Sequence, residues 1–339
     1  MREPRKAPTM ADVARVAGVS AMTVSRALKS TSSVNPDTRK AILEAAEAIG
    51  YVLDGTASSF RLQRSGFVAA TIPSIDNANF AAPVGALTEG LKAAGLEVLL
   101  GATNYDLAEE ERLIEQFLRR RPEAIVVTGG SHTDRARRML EQAAIPLVET
   151  WDLPAEPIGH VVGFSNAAAI RTMVDHFADA GYRDIAFIGG EAARDSRGHD
   201  RRQGFVEAMT ARGLDAGRLI DAGPPPISVR EGALAMRALI ERGLGAQAVI
   251  CVSDLAAFGA LTECQRQGLA VPRDVAIGGF GAYEIAAYSV PTLTTIDARA
   301  AEIGAEAARL VTGLLDGRIE RTERLRIEVP YRLLIGQSS

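Results

Sequence analysis

The chemistry most legible in this chain belongs to one arginine and the residues around it. Arg26 stands in the stretch T-M-A-D-V-A-R-V-A-G-V-S-A-M-T-V-S-R-A-L, residues 9–28. Its guanidinium offers a planar fork of donors that matches the O6 and N7 acceptors of guanine. Ala21, Thr23 and Ser25 precede it, small or hydroxylated, with Met22 between them. A helix with that surface is shaped to enter a DNA major groove. A second constellation lies far downstream. Arg194, Arg197, Arg201 and Arg202 form a cationic stretch, and arginine forks match carboxylates. Asp254 follows the apolar run 249–252 and begins a helix, where it can cap that helix or face a ligand.

Two short helices and a turn must hold Arg26 in place. Thr9 predicts the cap of the first, with Asp12 three positions on as a short capping box. Val13, Val16 and Ala17 predict its inner face, and Ala14 is small enough for a second helix to cross closely. Gly18 predicts its end, because a left-handed backbone costs glycine least. Ser20 predicts the cap of the second helix, with Val24, Ala27 and Leu28 inward and Ala21, Met22, Ser25, Arg26 and Lys29 outward. Asn35 and Pro36 open a third helix with an apolar stripe of Ile42, Leu43, Ala46 and Ile49, closed by Gly50.

Charge sets this head apart. Residues 1–64 carry ten Lys/Arg against six Asp/Glu, +4, whereas the remainder carries −8 of the chain's net −4. A basic head attracts phosphate while an acidic body resists non-specific binding. At 339 residues the chain has room for such a head and one large or two medium α/β lobes. The boundaries read as 8–53 for the head, 54–65 for a linker and 66–339 for the body. Within the linker, Asp54 can cap a helix running to about Leu62. It is too short to stand alone in water, and orders only against DNA or a second copy of itself. The opening M-R-E-P-R-K-A-P has no apolar signal region and no run is long enough to span a membrane, so a cytoplasmic protein is expected. Cys251 and Cys264 read as buried hydrophobes in a reducing compartment. His132, His160, His176 and His199 lack metal-ligand spacing, and most read as surface or loop residues. No metal and no cofactor are expected.

After residue 66, β-branched runs alternate with amphipathic stretches. The runs are 67–72, 96–100, 124–128, 147–149, 161–164, 185–189, 248–252 and 275–280; helices fall near 80–94, 107–120, 133–144, 166–180, 200–212, 228–242, 255–267 and 299–315. That alternation predicts parallel sheets with helices on both faces. The extended segment Pro291–Ile296 reads as a hinge strand between two lobes, and Pro224–Pro226 as a stiff surface loop.

The head and three body motifs, V-S-D-L-A-A-F-G-A at 252–260, G-L-A-V-P-R-D-V-A-I-G-G-F at 268–280 and P-T-L-T-T-I at 291–296, together resemble the lactose/galactose-repressor family over essentially the whole chain. W-D-L-P at 151–154, V-G-F-S-N at 162–166 and T-E-C-Q-R-Q-G-L at 262–269 resemble its gluconate-repressor branch. The resemblance implies a three-helix helix-turn-helix head, a hinge helix and a two-lobed periplasmic-binding-protein-like α/β sensor with parallel sheets. It also implies a homodimeric repressor on a palindromic operator, answering to a small-molecule effector such as a sugar or sugar acid. Carried over by position, Ala21, Met22 and Arg26 match base-reading residues; Thr9, Ser20, Thr23, Ser25, Lys29 and Thr38 match or neighbour phosphate contacts; Ala57 and Phe60 match the hinge residues that enter a minor groove. Arg201 and Asp254 match effector-facing positions, and Phe80, Ser165 and Tyr283 are further effector-site candidates, with Trp151, Phe164 and Phe280 as aromatic walls.

The chain also departs from the family. Gly281 and Ser165 stand where aspartate is common, Leu53 where proline is usual and Phe60 where leucine is usual. Loss of two carboxylates beside retained arginines favours an anionic effector such as gluconate. Two alternatives stay open on sequence. One is an NAD-type enzyme, for which G-G-F-G-A-Y-E at 278–284 is a weak fingerprint; the other is a solute-binding protein, which leaves the head unexplained.

Overall fold

The computed structural model describes residues 8–28, 34–51, 65–75, 77–190, 195–243, 245–320 and 324–339. The chain forms two compact units, residues 1–64 and 65–339. The linker candidates Ala57 and Phe60, together with Lys29 and Arg194, lie outside the described residues.

Three helices build the first unit: α1 (Met10–Ala17), α2 (Ala21–Ala27) and α3 (Pro36–Ala48). Thr9 and Asp12 complete a reciprocal capping box, Gly18 closes α1 at φ 67°, and Ser20 caps α2. Val13, Ala14, Val24, Ala27, Ile42, Ala45 and Ala46 form the core. Two expected core residues face solvent instead, Val16 at 52% exposure and Leu43 at 48%. Each lies roughly 100° round its helix from the centre of the buried stripe, at 100° per residue, so their spacing fits an apolar face that the packing does not use.

The second unit holds two six-stranded sheets. The first contains β1 (Phe67–Ile72), β2 (Glu97–Ala102), β3 (Ala124–Thr128), β4 (Leu147–Trp151), β5 (His160–Gly163) and β11 (Arg326–Glu328), in the order β11-β5-β4-β3-β1-β2. The second contains β6 (Ile185–Gly189), β7 (Leu219–Asp221), β8 (Ala248–Cys251), β9 (Ala276–Phe280), β10 (Thr294–Asp297) and β12 (Arg332–Leu334), in the order β12-β10-β9-β8-β6-β7. All neighbours run parallel except β12, which is antiparallel to β10. Parallel strands buried on both faces need continuous apolar runs, which β1, β3, β6 and β8 supply.

Helices α4 (Ala81–Lys92), α5 (Leu107–Arg119), α6 (Asp134–Gln142) and α12 (Ala300–Leu315) belong to the first lobe. Helices α7 (Asn166–Asp179), α8 (Ser196–Ala211), α9 (Val229–Glu241), α10 (Asp254–Arg266) and α11 (Glu284–Tyr288) belong to the second. Gly304 lets α12 lie directly on α4, since a Cβ there would sit 2.1 Å from the Pro83 carbonyl oxygen. The chain passes between lobes three times: from β5 into α7, from β10 into α12 and from β11 to β12. The segment expected to be the hinge strand, Pro291–Ile296, is thus placed differently. Its strand is an inner member of the second sheet, and the passage follows at residues 298–299.

Cys251 and Cys264 are free and buried, and burial pushes the Cys264 thiol up to about 12. Pro225 is buried within the proline loop. Two histidines are not surface residues. His160 is 5% exposed and its Nδ1 accepts from Leu325 N–H at 3.2 Å. The His132 ring is fully enclosed, with Nδ1 2.8 Å from Glu110 Oε2 and Nε2 3.8 Å from Glu149 Oε1. Glu149 in turn accepts from the backbone N–H groups of Ile158 (2.7 Å) and Gly159 (2.9 Å). Burial disfavours the His132 cation, but hydrogen bonds and charge from the two glutamates outweigh it and carry its pKa up to about 9.

Candidate nucleic-acid interface and ligand cleft

On α2 the helical period separates two faces. Val24 and Ala27 are buried, while Ala21, Met22 and Arg26 are exposed on the other side, Met22 at 66%. Ser25 and Thr23 are half-buried at its margin, as is Thr38 on α3. Thr9 and Ser20 cap their helices: Asp12 N–H donates to Thr9 Oγ1 at 3.4 Å and Thr23 N–H to Ser20 Oγ at 3.1 Å. These hydroxyls therefore hold the helix starts, with the Thr23 hydroxyl 2.8 Å from that of Ser20. The exposed face of α2 carries one cation, a thioether and a methyl group, enough for one bidentate base contact and apolar contacts beside it.

In the second unit, the carboxyl ends of both sheets meet at a cleft. A cavity of about 570 Å³ there is lined from the first lobe by Thr103, Tyr105, Glu110, Thr128, Gly129 and Ser131 among others, and from the second by Ser196, Arg197 and His199. Ligands of α/β folds sit outside the carboxyl ends of strands, in pockets of this size. None of the five effector candidates from the sequence lines this cavity. They are engaged elsewhere. Asp254 is fully buried; its Oδ2 accepts from Tyr283 N–H at 2.7 Å and its Oδ1 from the Thr295 hydroxyl at 2.6 Å. Burial still pushes its carboxyl up to about 6. Ser165 caps α7 through Ala168 N–H at 3.1 Å. Phe80 is buried edge-on against Trp151, centroids 5.3 Å apart. Arg201 donates from Nε to Asn166 Oδ1 (2.9 Å) and from Nη1 to the Val252 carbonyl (2.7 Å), with its guanidinium 4.0 Å from the Phe280 ring centroid. Phe164 stacks on Phe280 at 6.0 Å, so Trp151, Phe164 and Phe280 form one aromatic seam behind the cleft.

Tyr283 spans the lobes. Its hydroxyl donates to Asn77 Oδ1 at 3.0 Å, and Asn77 Nδ2 donates to the Tyr105 oxygen at 3.0 Å. Tyr283 also lines a second cavity of about 580 Å³ with Asn79, Gly281 and Arg299. The chain of bonds thus runs from the wall of one cavity to the wall of the other. Gly281 explains itself here: at φ 124°, a Cβ would sit 2.2 Å from the Tyr283 ring. The glycine that replaces an expected aspartate makes room for the tyrosine.

Arg197 is 6% exposed, with Nη2 3.7 Å from Asp195 Oδ1 and its guanidinium 5.9 Å from the Phe80 ring centroid. Burial works against its charge, and the carboxylates of Asp195 and Asp152 outweigh that. Asp152 is 9% exposed; burial pushes it up to about 6 against the pull of Arg197. Asn166 Nδ2 donates to Asp152 Oδ1 at 3.1 Å, so Asp152, Asn166 and Arg201 form a continuous polar chain. Nothing in the sequence pointed to Asn77 or Tyr105, whereas Asp152 lies in the W-D-L-P motif and Asn166 closes V-G-F-S-N, without either being singled out as a site residue. Among the described residues, no group of His, Cys, Asp and Glu is arranged to hold a metal ion.

Comparison with known proteins decides the family. Residues 9–54 match the model of bacterial regulatory proteins of the lacI family, and residues 174–339 match the periplasmic binding protein-like domain. The chain is 33% identical over 332 residues to the HTH-type transcriptional regulator GntR of Pseudomonas aeruginosa, covering 98% of this chain and 96% of that one. It belongs to the LacI family. A crystal structure of a LacI-family transcriptional regulator from Silicibacter pomeroyi superposes with a TM-score of 0.91 at 31% identity, over 98% and 99% of the two chains. The CelR–cellobiose complex superposes at 0.71 with 26% identity, over 98% and 100%. This LacI-family chain is a DNA-binding transcriptional regulator whose operator affinity answers to a small molecule. Its named relatives are regulators rather than enzymes. Among the described residues, no helix is long and apolar enough to cross a membrane.

Proposed function

We propose that this LacI-family regulator is a cytoplasmic, non-enzymatic repressor that binds a palindromic operator as a homodimer and is controlled by a sugar or sugar acid in the interlobe cleft. The division of labour is residues 8–53 for DNA, 54–65 for the hinge and 66–339 for sensing and dimerisation. Ala21, Met22 and Arg26 read bases. Thr9, Ser20, Thr23, Ser25, Lys29 and Thr38 set register on the phosphates, and Ala57 and Phe60 enter the minor groove. Arg201, Asp254, Phe80, Ser165 and Tyr283 act on the effector site from outside the cavity lining, by fixing the elements that carry it.

The observation that carries this reading is the composition of the cleft cavity. Thr103, Tyr105, Thr128, Ser131 and Ser196 bring hydroxyl-bearing side chains to the lining of a space of about 570 Å³ that also holds one buried arginine, a mixture of apolar wall and polar groups that suits a small hydroxylated ligand. A neighbour of the same fold is described as a cellobiose complex. Coupling follows from differential affinity: DNA favours one arrangement of paired lobes, the ligand favours another, and the ligand shifts the balance only by the difference.

Gel shift against promoter fragments, with and without sugars and sugar acids, tests it. Tight, salt-sensitive binding to a palindrome that one such compound releases or enhances is the expected result. A salt slope near zero for every fragment, with no response to any sugar or acid, overturns it.

A further inference from the structure

The cleft contains two buried arginines one helical turn apart, Arg197 and Arg201, and they are not equivalent. Arg201 is committed to the protein. Two of its donors serve Asn166 and Val252, and its flat face lies on Phe280. It holds the back of the cleft together and lies outside the lining of the cavity. Arg197 lines that cavity. Its nearest ion-pair oxygen, Asp195 Oδ1, is 3.7 Å away, beyond a good charge-assisted hydrogen bond. Gly129 stands opposite at φ 96°, where a Cβ would sit 2.9 Å from Arg197 Nη1, so the fork reaches a place only glycine leaves open.

The acids that line the cavity, Asp106 and Glu110, have their own partners, as does Asp152 behind it, whereas the buried Asp195 Oδ1 beside Arg197 has no hydrogen-bond partner among the described residues. Asp106 caps α5 through Ala108 N–H at 2.8 Å, and Glu110 is bonded to the enclosed His132. Asp152, behind Gly129, accepts from Asn166 and from Gly130 N–H at 3.3 Å. Helix α8 begins beside Arg197, and its N-cap residue, Asp195, makes no side-chain capping bond. The amide end of α8 and the Arg197 fork bring positive character to the same wall, offset in part by Asp195, while hydroxyl-bearing residues stand elsewhere in the lining beside Pro73, Leu107 and His199.

We propose that Arg197 is the specificity-determining residue of the cleft, gripping the carboxylate of a small hydroxy acid whose hydroxyls meet the threonine, serine and tyrosine wall. This rests on the reading of the cleft as the effector site.

The test is calorimetry on the full chain with matched probes that differ only in the acid group: gluconate against glucitol, and galactonate against galactitol. The wild type is expected to bind at least one acid roughly 10- to 100-fold more tightly than its alditol, as hydrogen bonds to a charged group imply. Arg197→Gln is expected to reduce that ratio to about threefold or less, and Arg197→Lys to retain part of it, since charge survives without the fork. The ratio is taken on one variant at a time, so a lowered folded fraction cancels. Arg197→Gln retaining the full preference overturns the proposal. Equal affinity of acid and alditol for the wild type overturns it too, while leaving the cleft reading intact. Failure of every acid and alditol to bind the wild type removes both.

Discussion

Tyr283 and Asn77, 206 positions apart, share a 3.0 Å hydrogen bond that joins the two lobes across the cleft. The backbone N–H of the same tyrosine is fixed by Asp254 at 2.7 Å. A buried carboxylate in the second lobe thus positions a side chain that fastens the first.

Removing that hydroxyl isolates the fastening. Tyr283→Phe keeps the ring over Gly281 and deletes the bond, worth about 1 kcal/mol. Because the bond exists only with the lobes together, effector affinity should fall by about fivefold and operator binding without effector should shift measurably. Asn77→Ala should give a similar loss, and the double variant less than the sum. Fully additive losses in calorimetry would show that the two residues act separately.

Restoring the residue common in the family should do harm here. Gly281→Asp places a Cβ within 2.2 Å of the Tyr283 ring in a left-handed backbone, at a cost of roughly 1–3 kcal/mol. Urea unfolding should show that loss, and Tyr283→Ala should relieve part of it. A Gly281→Asp protein as stable as the wild type would mean that the tyrosine moves freely.

At the other end of the chain, Arg26→Ala should weaken specific operator binding by about 1–3 kcal/mol and relax preference at one base pair. Effector affinity measured by calorimetry should stay within about twofold. A drop in effector affinity of the same size as the loss on DNA would show that Arg26 acts through the fold instead of on bases.

His132 makes stability depend on pH in a stated direction. Its folded pKa, about 9, lies above the ordinary 6.5, so its contribution is complete below pH 6.5 and is lost as pH rises through 9. The size is at most about 3 kcal/mol. Urea midpoints measured from pH 6 to 9.5 should fall for the wild type and stay flatter for His132→Gln. Parallel curves would remove the enclosed charge cluster from the account.

What could be read beforehand follows from the range of the forces. The capping box of Thr9 and Asp12, Gly18 and the parallel-strand runs are local signals, and periodicity placed them well. The three-residue strands β7, β11 and β12 are too short to show a period, and their pairing is fixed by partners far away in sequence. Val16 and Leu43 fit a helical stripe that lies beside the one the packing uses. His132 gave no sign of burial because Glu110 and Glu149 reach it from separate elements. Likewise, four-residue spacing puts Arg197 and Arg201 on one face of α8, but only Asn166 and Val252, brought in by the fold, decide which is occupied.

The last two strands carry a consequence for how the molecule is completed. Residues 326–328 finish one sheet and residues 332–334 the other, with only a short connector between them. A chain cut before residue 326 therefore moves the edge of both sheets inward at once, from the short, exposed β11 and β12 to the buried β5 and β10, whose uncovered amides are ready to recruit a stranger. Proteases that trim this end should yield aggregates instead of one healthy half, which makes the final stitch a quality checkpoint for both sides together.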